Sequence, residues 1–168
     1  MIWASSHEIM NGVSPHMFYP NDATNRAMMA QILYNLSGSG STEITTVFSD
    51  VSERDWYAKS VSWAYRNGIA LSKGTEFGAR DKLTREDMAY MLYTYAGSMG
   101  MRMSYFGNLE QYRDAGQISP WARNAVDWAV GTGLIEGVGG GCLDPQGSAT
   151  RAQLATVMQR FCAMLISG

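Results

Sequence analysis

Apolar side chains recur at three- and four-residue intervals in several windows, a spacing that predicts amphipathic helices. Met88, Met91, Leu92 and Tyr95 share one face after Thr84, and Leu154, Val157, Met158 and Phe161 share one after Thr150. Met28, Ile32 and Leu36 follow Thr24 in the same way. Each threonine suits an N-cap, because its hydroxyl can accept a first-turn N–H that has no partner inside the helix. Asp87 and Gln153, at the third helical position, provide the second half of a capping box, whereas Ala27 cannot. A further helix is predicted from Trp56 through Val61, Ala64 and Tyr65, stopping near the C-cap pair Asn67-Gly68. The segment 71–83 between them holds Gly74, Gly78 and Asp81, which suit turns.

These landmarks repeat. Trp3-Ala4, Trp63-Ala64 and Trp128-Ala129 are each followed by a threonine, at Thr24, Thr84 and Thr150, after 21, 21 and 22 residues. An apolar residue, Met17, Phe77 or Leu143, precedes each threonine by seven residues. Three landmarks in step across three copies define an internal repeat. The expected architecture is all-α: three helix-loop-helix units at 1–37, 47–97 and 111–166, joined by Gly/Ser/Thr- and Gly/Met-rich connectors. Single helix pairs cannot bury their apolar faces alone, so the units are expected to pack into one body.

Composition narrows the function classes. Of 168 residues, 46% are hydrophobic and 17% charged, enough apolar material for a core. Thirteen basic and fifteen acidic residues give a net charge of −2 without any Lys/Arg block, so nucleic acid is not an expected partner. No apolar run reaches the roughly 18 residues of a membrane span. The twelve methionines suit gaps between small helices, or more pointedly a methionine-rich partner groove. Cys142 and Cys162 have no second pair nearby, so neither zinc nor any other cofactor is expected. The two histidines, His7 and His16, lack a nucleophile or metal-ligand spacing around them. Glu86-Asp87 are neighbours on a helix and point different ways, and Gly137–Gly141 lacks the Gly-Lys-Ser/Thr ending of a phosphate loop. Catalysis therefore has no support.

The second unit, with Phe48-Ser49-Asp50, Trp56, Gly68-Ile69, Phe77 and Thr84-Arg85-Glu86-Asp87, resembles an S-layer-homology repeat. The third resembles it too, through Tyr112-Arg113-Asp114, Trp121, Gly133-Leu134 and Thr150-Arg151-Ala152-Gln153. In the first unit, Thr24-Asn25-Arg26-Ala27, Asn25 stands where the signature arginine is expected. That unit also opens in mid-helix and the chain starts without a signal peptide, which together favour a piece trimmed from a longer polypeptide. The resemblance implies a pseudo-three-fold bundle with grooves between neighbouring repeats. It further implies binding to a secondary cell-wall polysaccharide, commonly ending in pyruvylated N-acetylmannosamine, and an extracellular, wall-associated location.

For such a ligand, Arg85 and Arg151 beside the caps Thr84 and Thr150 are expected to meet the pyruvate carboxylate, helped by the helix dipole. Asn25 would mark a weak site. Trp56 and Trp121 are candidate sugar platforms, with Trp63 and Trp128 weighed likewise against a core role, and Gly74 and Gly140 would admit close backbone approach. Asp50 and Asp114 are expected to cap or tie down the first helix of their units. The competing reading is a protein–protein module that kept the fold and lost the sugar site. A homo-oligomer also enters, because a missing first helix would uncover an apolar edge near Trp3 and Ile32.

Overall fold

The computed structural model describes residues 21–40, 43–45, 47–69 and 71–167. The expectations for Trp3, Met17 and the two histidines fall outside them. Among the described residues five α-helices carry the fold: α1 (Arg26–Ser37), α2 (Ala58–Arg66), α3 (Arg85–Ser98), α4 (Arg123–Gly131) and α5 (Arg151–Ser167). Three short 3-10 turns, Leu109–Gln111, Ala115–Gln117 and Pro120–Ala122, lie ahead of α4. Among the described residues only isolated β-bridges occur, so the chain is all-α as expected.

The pseudo-three-fold axis is visible in the backbone. Leu83 N–H donates to Thr24 C=O (2.9 Å), Ala149 N–H to Leu83 C=O (2.8 Å), and Thr24 N–H to Ala149 C=O (3.0 Å), closing a ring of three bonds. One residue beyond each ring position comes an N-cap and then an arginine that opens α1, α3 or α5. The ring sets the register: Thr24 corresponds to Leu83 and Ala149, Asn25 to Thr84 and Thr150, and Arg26 to Arg85 and Arg151. The sequence alignment of the first unit was therefore one residue out. Asn25 does not replace the signature arginine. It is the cap, its Oδ1 accepting from Met28 N–H at 2.8 Å. Asparagine caps as well as threonine, so Thr24 and Asn25 could not be told apart by type alone. Thr24 instead donates its hydroxyl to Ala149 C=O.

Below the ring, Met29, Leu33, Met88, Leu92, Leu154, Met158 and Phe161 have no exposed surface. The shared face of α1 is accordingly Met29, Ile32 and Leu33, with Met28 and Leu36 only partly buried. Ile32 is 4% exposed and so belongs to no uncovered apolar edge. The outer helices each pack on the last helix of the preceding repeat, α2 on α1 and α4 on α3. Edge-on aromatic pairs mark both seams at corresponding places, Tyr34 with Trp63 and Tyr93 with Trp128, at 5.9 and 5.7 Å. Such pairs add about 0.5–1.5 kcal/mol beyond burial. Trp63 and Trp128 are thus core residues. Trp56 and Tyr65, expected on the inner face, are exposed; the buried positions of α2 are Ala58, Val61, Trp63 and Ala64, flanked by Ser60 and Ser62.

Candidate functional site

The loops that join the two helices of a repeat serve the helix of the repeat before. In the loop 71–83, Ala79 C=O and Asp81 C=O accept the N–H groups of Ala27 and Arg26, at 3.0 and 3.1 Å. In the third repeat, Pro145 C=O and Gly147 C=O accept those of Glu86 and Arg85, at 3.0 and 2.9 Å. Orphan donors at the helix starts are thereby satisfied across the junction. Asp87 N–H, the next donor of α3, goes to Thr84 Oγ1. The first-turn amides are consequently committed, and the N-terminus of α3 does not present them to a ligand.

Asp50 and Asp114 shape these loops. The Asp50 carboxylate accepts from the N–H groups of Phe77, Gly78 and Ala79 at 2.7, 2.9 and 3.0 Å. That of Asp114 accepts from Leu143 and Asp144 at 2.8 and 2.7 Å. The expectation that they tie down a first helix is corrected: they fold the following loop, whose clustered N–H donors need an acceptor. Burial alone pushes both carboxyls up, but the loop N–H bonds outweigh it and hold them below the usual carboxylate range, with the Arg85 charge also lowering Asp114. Gly74 and Gly140 sit at exposed turns, with φ of +67° and +61°, and a Cβ at either would meet open space. Their glycines answer the left-handed backbone of a tight turn.

The arginines reach into the loop of the next repeat. Arg26 gives Nε to Phe77 C=O (3.1 Å), Nη2 to Leu71 C=O and Nη1 to the Asp87 carboxylate, with its guanidinium over the Phe77 ring. Arg85 gives Nε to Leu143 C=O (2.7 Å) and Nη2 to Glu136 C=O. The exposures of Arg26, Arg85 and Arg151 are 1%, 7% and 5%, so all three are inside rather than displayed on helix ends. Burial lowers the Arg85 pKa, with the charges of Asp144 and Asp114 opposing it. Arg151 donates its backbone N–H to Asp22 C=O.

The side chain at the third helical position, Gln153 in one repeat and Asp87 in another, is used differently. Gln153 closes the capping box, its Oε1 accepting from Thr150 N–H at 3.0 Å while Thr150 Oγ1 accepts from Gln153 N–H at 3.2 Å. The box expected at Thr84 is only half made: Thr84 accepts from Asp87 N–H, but the Asp87 carboxylate turns to Arg26. Glu86, 3% exposed, accepts from Ser119 N–H and Oγ at 2.9 and 2.7 Å and from the Gln146 amide at 2.8 Å. This latch holds the turn that carries Trp121, which meets Tyr90 of α3 edge-on at 5.5 Å and stays 43% exposed. The start of α3 thus holds the 136–143 loop through Arg85 and the turn before Trp121 through Glu86. Trp56, 62% exposed, stands in the other repeat beside Tyr57. A cleft of about 520 Å³ in that repeat is lined by Asp50, Asp55, Glu76 and Asp81 together with the basic Arg80, a lining unsuited to an anion. Among the described residues no cluster of His, Cys, Asp and Glu could hold a metal, and no helix is long and apolar enough to cross a membrane.

Sequence reasoning missed Arg26, Asp87 and Glu86 as junction residues. For Arg26 a signal existed, the order cap, arginine, small residue shared with Thr150-Arg151-Ala152.

Fold and junctions define a helical module of three repeats, each repeat capping its neighbour. The S-layer homology domain matches the chain at three stretches, residues 1–30, 47–89 and 111–155, and the chain belongs to that family. It is 30% identical over 155 residues to an amylopullulanase of Thermoanaerobacterium thermosulfurigenes, covering 92% of this chain and 8% of that protein. It is 29% identical to the exoglucanase XynX of Acetivibrio thermocellus (92% of this chain, 14% of that protein). The surface-layer 125 kDa protein of Lysinibacillus sphaericus is 29% identical over 159 residues, 90% of this chain and 13% of that protein. The chain thus spans only a small fraction of these relatives.

Proposed function

We propose that this chain is a non-catalytic anchoring module that binds a pyruvylated secondary cell-wall polysaccharide and so holds an exported bacterial protein at the cell surface. The observation that carries this reading is the mismatch among the relatives. An amylopullulanase, an exoglucanase and a surface-layer protein differ in what they are named for, yet share a segment that is at most 14% of each of the three. What such proteins share through that segment is best read as placement, not chemistry. The Arg85 junction supports the ligand class: a buried guanidinium suits a carboxylate, and the exposed Trp121, on the turn held by the adjacent Glu86, suits a sugar ring. The alternative, a protein-interaction or self-associating module, draws on the exposed Met99, Tyr105 and Phe106 of the connector before α4.

Calorimetric titration with a pyruvylated N-acetylmannosamine glycoside, beside the same glycoside without pyruvate, tests the proposal. Saturable heat from the pyruvylated form alone is expected. Silence from both, with the helical fold verified by circular dichroism, would remove the glycan reading and favour the interaction module.

A further inference from the structure

The two described arginine junctions share the partners of two guanidinium nitrogens and differ at the third, and in the Phe77 ring that lies under Arg26 where the other junction has Leu143. Arg26 and Arg85 both commit Nε and Nη2 to carbonyls of the next repeat's loop, Phe77 and Leu71 in one case, Leu143 and Glu136 in the other. At the first junction the remaining Nη1 is met by the Asp87 carboxylate, 10% exposed. At the second, the position corresponding to Asp87 is Gln153, whose Oε1 is turned back to Thr150 N–H. Among the described residues Arg85 Nη1 has no hydrogen-bond partner, and it is not one of the fully buried atoms left without one. The molecule therefore displays the same site twice, once with a carboxylate in it and once without.

We infer that Asp87 is a built-in plug: its carboxylate fills the anion position on Arg26, so a carboxylate-bearing ligand enters at the Arg85 junction and not at the Arg26 junction. The inference rests on the function proposed above and assigns the working site between the two. A guanidinium nitrogen already paired with a buried carboxylate offers a second carboxylate little beyond repulsion from the first. Arg85 has no carboxylate bonded to it, and the charges of Asp144 and Asp114 act on it only through space.

The experiment is a titration of the intact chain with the pyruvylated N-acetylmannosamine glycoside, following the guanidinium Nε–H signals of Arg26 and Arg85 separately by NMR. The Arg85 signal is expected to shift saturably while that of Arg26 stays still. Gln153→Asp moves the plug into the second junction by placing the same carboxylate at the same helical position. It should weaken the Arg85 response by on the order of tenfold or more, with the helical fold verified by circular dichroism. Asp87→Gln should make the Arg26 signal respond as well. Should Asp87→Gln fold poorly, Gln153→Asp decides alone, because it adds an ion pair instead of removing one. Saturable shifts at both arginines of the parent chain, or an unchanged Arg85 response in folded Gln153→Asp, overturn the plug and leave glycan binding standing. A saturable response elsewhere with none at Arg85 overturns the plug alone, and no saturable response at Arg26, Arg85 or Arg151 overturns plug and glycan reading together.

Discussion

The junction between repeats 1 and 2 and that between repeats 2 and 3 use one backbone plan and opposite side-chain devices. In both, a loop carbonyl pair caps the preceding helix and an arginine spans the gap. At the first, the binding carboxylate comes from downstream, Asp87 reaching back to Arg26. At the second it comes from upstream, Glu86 reaching forward to Ser119 and Gln146, while Arg85 has carbonyls and a distant field. Repeats 1 and 3 carry alanine at the Glu86 position, Ala27 and Ala152. A pseudo-symmetric fold thus tolerates a different polar solution at each seam.

The largest expected effect tests the first seam. Asp87→Ala leaves the Arg26 charge inside without its counter-ion, and breaking one side of a buried pair costs about 3–5 kcal/mol. Urea denaturation should place most of the loss in equilibrium stability, with no comparable loss from Gln153→Ala, whose partner is a capping N–H. Equal losses would mean that the two seams do not differ in the way their partners indicate.

The second seam should respond to Glu86→Ala, by about 1–3 kcal/mol, the range for stranding donors that had a charged acceptor. Because Glu86 holds the turn Pro120–Ala122, hydrogen exchange should quicken at the start of α4 while α2 keeps its protection. Uniform quickening of both outer helices would show that the latch is not local.

These partners explain how far the sequence could be read. Helix faces at Met88-Met91-Leu92-Tyr95 and Leu154-Val157-Met158-Phe161 were legible because burial follows the helical period, and those residues are 0–6% exposed. The caps Thr84 and Thr150 were legible because capping is a local bond. Register in the first repeat was not, since two adjacent residues could both cap and the ring that distinguishes them closes across 125 residues. The destinations of Asp50, Asp87 and Asp114 were illegible for the same reason: a carboxylate next to a helix start has a local use, and periodicity carries no hint of a partner in a distant loop, as for Asp50 and Asp114, or in another repeat, as for Asp87. Trp56 and Trp121 read as equivalents, and only Tyr90, where repeat 1 has Gln31, covers one of them more than the other.

The smallest expected effect concerns acid. Asp50 and Asp114 both have folded pKa values below the ordinary value of roughly 3.9. A carboxyl that binds its proton more weakly when folded contributes stability that is whole above its unfolded pKa and is lost as pH falls through its folded one. Stability should therefore be flat in this respect above about pH 4 and decline below it, and Asp50→Asn and Asp114→Asn should each flatten that decline. The seams differ in what supports the shift. Loop N–H groups lower Asp50, whereas Asp114 has two such donors and the Arg85 charge. Arg85→Met should accordingly shrink the Asp114 share of the acid limb and leave the Asp50 share alone, read as the difference each Asn variant makes in the Met background. An unchanged Asp114 share would mean that loop N–H groups alone set that carboxylate, and that the buried guanidinium adds no field to the second seam beyond its bonds to Leu143 and Glu136.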